Sequence, residues 1–319
     1  MKQLNKYILE KLKIRKSTKT NIKITDSQHF IDVVSQKLKF NDKILDLSNF
    51  DFSKYSNNYI PALMNIDTIY QVESIDISNW KLGSNINTLQ QLFCNLDSLT
   101  EIIGFDTIDF SNIVSIESLF QGTGLTEFDY TNISFPKLKR AENLFAFSND
   151  LEYINISNWE VPQLGNCARM FAQCPKLTTV EGLNTWNKTS IIECKYMFFS
   201  CKSLKNINVN GFDVSQLKGA ESMFEECSSL KSINISNWDF ENVYIMERMF
   251  KGCINLETVG TFPNPQNNKN YFYNCKEMFY DCEKLKLDLS NITIIHRGRN
   301  QNFSKGTDPK LFKRPKFKV

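Results

Sequence analysis

Apolar positions along the chain follow two periods that take turns. In Met223–Trp238, residues Met223, Phe224, Cys227 and Leu230 fall at spacings of three and four, as on one side of a helical turn. The next residues change pattern: Ile233 and Ile235 alternate with Ser232, Asn234 and Ser236, as in a half-buried strand. Each such stretch predicts one helical turn or short helix, one short strand and a polar turn.

The pattern repeats. A Leu-Phe or Met-Phe pair recurs at Phe93, Phe120, Phe145, Phe171, Phe198, Phe224, Phe250 and Phe279, at steps of 27, 25, 26, 27, 26, 26 and 29. A longer period is superimposed. The phrase Ile-x-Ile-Ser-Asn-Trp stands at Ile75–Trp80, Ile154–Trp159 and Ile233–Trp238, each copy 79 residues after the last. Units of 20 to 50 residues are the mark of a solenoid, because one unit cannot bury its own apolar face and must stack on its neighbours.

The strand phrase can be followed through Leu45–Leu47, Ile75–Ile77, Phe128–Tyr130, Ile154–Ile156, Ile207–Val209, Ile233–Ile235 and Leu287–Leu289. Every third rung differs, with Gly104, Gly182 and Gly260 interrupting it, and a local bend is expected there. The fold expected is an α/β repeat solenoid of about ten rungs, each a short parallel β-strand plus a helical turn. At the spacing of paired strands, its sheet would be about 45 Å long.

The pattern Met-Phe-x-x-Cys-x-x-Leu-x-x-Ile-x-Ile-Ser-Asn-Trp resembles the leucine-rich repeats of BspA-type bacterial surface proteins. It resembles more closely the related repeat abundant in mycoplasma lipoproteins. The resemblance covers roughly residues 60 to 292 and is strongest from Met170 to Leu256. It implies a leucine-rich-repeat-like solenoid used for adhesion or protein binding, and it brings no catalytic residues. One departure is that such surface proteins are exported, whereas the opening residues here have no apolar core, cleavage site or lipidation cysteine. The expected location is therefore cytoplasmic or virion-associated, with surface exposure only through another export route. No run of apolar residues is long enough for a membrane span.

Four segments are expected: a basic amphipathic leader at 1–20, an N-terminal cap with a first degenerate rung at 21–59, the solenoid at 60–295 and a basic C-terminal tail at 296–319. In the leader, Leu4, Tyr7, Ile8 and Leu12 lie on one helical side and form a candidate attachment helix. Its first 14 residues are similar in outline to short leaders on tailed-phage proteins, including those of crAss-like phages. In the cap, Asp26 or Ser27 is expected to start a helix ending about Lys37. The tail has few core positions and reads as an extension rather than another rung.

Charge sharpens the division. The net charge is +3; residues 1–20 carry +6 and residues 296–319 carry +7, which leaves about −10 for the body. A nucleic-acid partner along the solenoid is thereby disfavoured, for want of a basic stripe. All nine cysteines belong to the repeat, in columns three residues after and four before the phenylalanine, with Cys94 directly after Phe93. Cysteines seven residues apart in a helix would be roughly 10.5 Å apart, too far for one disulfide or one metal. Stacked buried thiols are the expectation.

Catalytic and cofactor chemistry find no purchase. The two histidines, His29 and His296, do not recur with the repeat, and phosphate-loop, dinucleotide, nucleophile-elbow and zinc-protease motifs are all missing. No cofactor, no metal and no enzymatic activity are expected. The binding candidates are the outward strand column Asp46, Asp76, Asp129, Asn155, Asn208, Asn234 and Asp288, flanked by Ser74, Glu127, Tyr153, Asn206 and Ser232. These short polar groups suit a protein or glycan surface, or else simply keep a sheet face soluble. Trp80, Trp159, Trp186 and Trp238 recur with the repeat and are expected in the core. The expected function is a non-enzymatic binding or adhesion module; the alternative is a structural or packaged phage component incorporated through the leader.

Overall fold

The computed structural model describes residues 21–38, 43–240, 242–261, 274–290, 293–295 and 300–318; the leader, with Leu4, Tyr7, Ile8 and Leu12, and His296 lie outside them. The described residues form a parallel β-solenoid. Chain order begins with β1 (Ile22–Lys23), helix α1 (Ser27–Lys37), β2 (Ile44–Asp46) and β3 (Phe50–Asp51). The strand ladder then runs through β4 (Ser74–Asp76), β5 (Glu101–Ile103), β6 (Glu127–Asp129), β7 (Tyr153–Asn155) and β8 (Thr179–Glu181). It continues with β9 (Asn206–Ile207), β10 (Ser232–Ile233), β11 (Leu287–Asp288), β12 (Thr293–Ile295), β13 (Phe312–Lys313) and β14 (Lys316–Lys318). All pairings are parallel, the middle strand residues Leu45–Ile75–Ile102 and Phe128–Ile154–Val180 standing in register.

Asp26 caps α1 by accepting from the His29 N–H at 3.0 Å, while Phe30 and Val34 bury its inner side over Phe50 and Phe52. The helix thus closes the first end of the stack.

The helical turn expected in every rung does not form. Around each repeat phenylalanine the backbone alternates in handedness instead: the residues two before and two after it are left-handed, for example Ser222 and Glu226 at φ 51° and 61°. Their N–H groups reach across to the next rung, Ser222 to the Glu247 carbonyl at 2.8 Å, Phe224 to Met249 at 2.9 Å and Glu226 to Lys251 at 2.7 Å. A stretch this short is well below the length at which an isolated helix is stable, and the neighbouring rung offers partners at once. The spacing of three and four survives because it places Met223, Phe224, Cys227 and Leu230 inward, all fully buried.

Seven consecutive phenylalanine pairs, from Phe93–Phe120 to Phe250–Phe279, stack with centroids 5.1–5.8 Å apart and planes within 3–18°. Beside them the thiols of Cys174, Cys201, Cys227, Cys253 and Cys282 donate to the carbonyl of the preceding rung's phenylalanine at 3.0–3.1 Å. Ser148 does the same to Phe120 at 3.1 Å. All nine cysteines are buried and free. Burial raises their pKa values, to about 12 for Cys174 and Cys275, so they remain protonated.

The phrase Ile-x-Ile-Ser-Asn-Trp has a physical reading at every position. Ile75 and Ile77 point into the core, Asp76 accepts from the Ser78 N–H at 2.8 Å, and Asn79 takes the left-handed conformation at φ 62°. Trp80 is buried and its indole donates to the preceding rung's Leu47 carbonyl at 2.8 Å. Trp159 and Trp238 repeat that bond to Tyr130 and Val209.

Glycine at every third rung has two causes. Gly104 and Gly182 adopt φ 81° and 102° and open 3-10 turns at Phe105–Thr107 and Leu183–Thr185. A Cβ would also lie 2.3 Å from the Ser78 hydroxyl or 2.5 Å from the Ile156 carbonyl carbon. The strand ladder is interrupted after each of these rungs, leaving the sheets β2-β4-β5, β6-β7-β8 and β9-β10. Across the first interruption the Tyr130 hydroxyl donates to the Ile102 carbonyl in place of a backbone bond.

The tail differs from its sequence reading as an extension: residues 300–318 form a further rung. Phe279, Asp281, Leu287 and Leu289 donate to the carbonyls of Phe303, Lys305, Leu311 and Lys313, and β13 and β14 pair with β11 and β12. The hydrogen-bond register puts Phe303 in the methionine column and Ser304, 1% exposed, where the phenylalanine would be. Arg314 donates to the Ser304 hydroxyl at 2.9 Å, and Phe312 packs on Phe279 and Phe303.

Candidate functional site

The outward strand column is not uniform. Asp46, Asp76, Asn155, Asn208, Asn234 and Asp288 each turn one oxygen back to the N–H two residues on, at 2.8–3.2 Å. The polar residue between two inward ones therefore shapes the turn that leaves the strand. Asp76 is buried at 7% exposure, between Asp46 and Ile103 in register, and so is not part of an exposed ladder. Asp288 is engaged by Lys313 at 2.8 Å, an ion pair that holds its carboxyl well below the usual carboxylate range. Asn208 and Asn234 are exposed beyond the last paired residues of β9 and β10.

The column reaches its fullest form in the middle sheet. Glu127, Tyr153 and Thr179 stand in register in one row, and Asp129, Asn155 and Glu181 in the other. Asn155 donates to Asp129 at 2.9 Å. Glu127, Asp129 and Glu181 are exposed, and none forms a salt bridge among the described residues. The neighbouring carboxylates raise the Tyr153 phenol above its ordinary pKa, after desolvation, the larger cause.

A second face, missed in the sequence, follows an unbroken run of parallel bridges from Tyr59 through Thr88, Ser115, Arg140, Asn166, Glu193, Gly219 and Ile245 to Asn274. Most of its charges are mutually paired. Arg140 bridges Glu117 and Glu142, Arg248 bridges Glu247 and Glu277, and Lys251 bridges Glu225 and Glu277. Arg169 lies over the Tyr196 ring at 4.8 Å and Lys251 over Tyr280 at 5.6 Å. The signal available in the sequence was the charged residue one or two places before each Met-Phe pair, Arg169, Lys195, Glu221, Arg248 and Glu277, at steps near 26 residues.

Among the described residues no group of three His, Cys, Asp or Glu side chains could hold a metal ion, and no helix is long and apolar enough to cross a membrane.

The chain is similar to several solved bacterial proteins. A leucine-rich repeat protein from Bacteroides ovatus is 19% identical over 88% of this chain and 84% of that one, with a TM-score of 0.32. A leucine-rich repeat protein from Eubacterium ventriosum is 11% identical over 84% and 91%, with a TM-score of 0.30. A leucine-rich cell surface protein from Faecalibacterium prausnitzii is 13% identical over 95% and 92%, with a TM-score of 0.23. No curated protein matches the sequence. One family matches three times in overlapping stretches, 62–180, 139–262 and 176–292, as a repeating chain allows. Those stretches cover most of the 319 residues, and the chain belongs to the family described as "Mycoplasma protein of unknown function, DUF285".

Proposed function

We propose that the protein is a non-enzymatic recognition module that binds a partner protein bearing a basic surface through the middle sheet, β6 to β8. The observation that supports this is the contrast between its two exposed faces. Glu117, Glu142, Glu225, Glu247 and Glu277 on the bridge face are neutralised by lysine and arginine of the same chain, whereas Glu127, Asp129 and Glu181 have no such partner among the described residues. Unpaired like charges on an ordered sheet repel one another mildly and attract a complementary surface, which adds to association rate and specificity. The solenoid fold, commonly used for protein binding, presents them on a rigid extended platform. Adhesion would be one setting for such binding.

The test is a capture experiment with the full chain and the variant Glu127→Lys/Asp129→Lys/Glu181→Lys, checked by circular dichroism for an unchanged melting curve. Loss of the same partner from the variant, and weakening of wild-type binding by salt, is the expected result. Equal capture by both chains would rule the face out. Replacing Asn155, Asn208 and Asn234 is less informative, because their side chains also hold the turns.

A further inference from the structure

One corner of the coil carries an apolar column separate from the phenylalanine stack. Phe110, Phe135, Val161, Val214 and Phe240 are buried there, and each carbonyl accepts from the N–H three residues on at 3.0–3.2 Å. Lys188 stands in this column between Val161 and Val214. It lies six residues after Gly182, as Phe110 lies six after Gly104, and it is exposed. Where Phe110 stacks on Phe135 at 4.7 Å, the position equivalent to Phe110 in the Gly182 rung holds the exposed Lys188 instead of a ring. A groove of about 640 Å³ opens at that point.

Trp186 lines this groove and is 1% exposed. Its indole N–H has no hydrogen-bond partner among the described residues, although the indoles of Trp80, Trp159 and Trp238 all donate to the preceding rung. The nitrogen itself is buried, so the ring is wall to the groove rather than a donor to a ligand in it. At the rim stand Glu160, Asn184, Asn187 and Lys188, all exposed and without a side-chain hydrogen bond or salt bridge among the described residues. One acid, one base and two amides give no net charge and offer donors and acceptors in equal measure. An anionic ligand attracted by Lys188 would meet Glu160 beside it. A ligand whose closely spaced hydroxyls both donate and accept satisfies all four groups.

We propose that the groove at Lys188, between the rungs of Trp159 and Trp186, is a binding site for a neutral saccharide whose hydroxyls hydrogen-bond with Glu160, Asn184, Asn187 and Lys188 at its rim. The two tryptophans form the wall of the site; their rings are too buried to serve as a stacking platform. The volume suits a small-molecule ligand, for which sites are about 300–1,000 Å³. This site is independent of the acidic middle sheet and stands or falls separately.

The test uses the full chain, titrated with maltose, cellobiose, lactose and diacetylchitobiose and followed by tryptophan fluorescence and calorimetry. At least one disaccharide is expected to bind. Lys188→Phe, which restores the ring of the corner column, should abolish that binding while the melting temperature holds or rises. Glu160→Gln, at an exposed position, should weaken it severalfold without moving the melting temperature. Binding by none of the four sugars, unchanged binding by Lys188→Phe, or binding of acetate and succinate in their place would each overturn the proposal.

Discussion

The phenylalanine side and the strand side of the same coil obey different rules. On the first, rings stack from Phe93 to Phe279 without a break, and bridges run unbroken from Tyr59 to Asn274. On the second, the strand ladder stops after the rungs of Gly104 and Gly182. The shorter repeat of about 26 residues is set where every rung must offer the same buried ring, thiol and leucine. The longer one of 79 residues is set where the close approach of Ser78 or Ser157 admits only glycine above it. Two periods in one sequence therefore report two contacts in one structure.

The largest test of that contrast is Phe224→Ala, in the uniform side. Phe224 is sandwiched between Phe198 and Phe250 at 5.4 and 5.5 Å. Its truncation should cost roughly 3–5 kcal/mol in chemical denaturation. An unchanged midpoint would remove the phenylalanine stack from its place as the core of the fold.

Gly182→Ala probes the other side. At φ 102° and 2.5 Å from the backbone of the preceding rung, a methyl group cannot be placed without local movement. A loss of about 1–3 kcal/mol is expected from strain alone. Gly165→Ala is the control, its Cβ meeting nothing nearer than 3.8 Å, and should change stability by less than about 0.5 kcal/mol. Equal effects of the two would mean that the glycine rungs are not special.

The smallest expected effect is chemical. The buried thiols have folded-state pKa values raised above the ordinary thiol value of about 8.5. Their contribution is thus fully present below that value. It is lost as pH rises, because the unfolded chain releases thiol protons that the folded chain retains. Denaturation midpoints should fall from about pH 8.5 upward, and thiol reagents should label the protein only once it unfolds. Rapid labelling of Cys227 in the native protein would contradict its place in the ladder.

Much of this was legible beforehand, and for the same reason throughout: apolar residues that recur at a fixed interval must face a common core. Leu45 through Leu287, the inward strand residues, are all 0–8% exposed. The Asp26 cap was legible too, being local. The helical turn was misread because spacing reports which side chains point inward, not where the backbone N–H groups go. The last rung was missed because Phe303 occupies the methionine column and Ser304 the phenylalanine position, although Gly306 and Thr307 follow as Gly122 and Thr123 do. For the candidate site, the column Asp46 to Asp288 was found as a row, but not its division into turn-forming, buried, ion-paired and open members.

The sequence by itself determined the solenoid, its rung length and its inward columns, because a periodic apolar surface can be buried only by stacking one unit on the next. Tertiary structure alone decided what each polar group does. Whether Glu277 is neutralised and Glu181 is not, or whether the Trp186 indole finds an acceptor, depends on a neighbour one rung away in space and some 26 residues away in the chain.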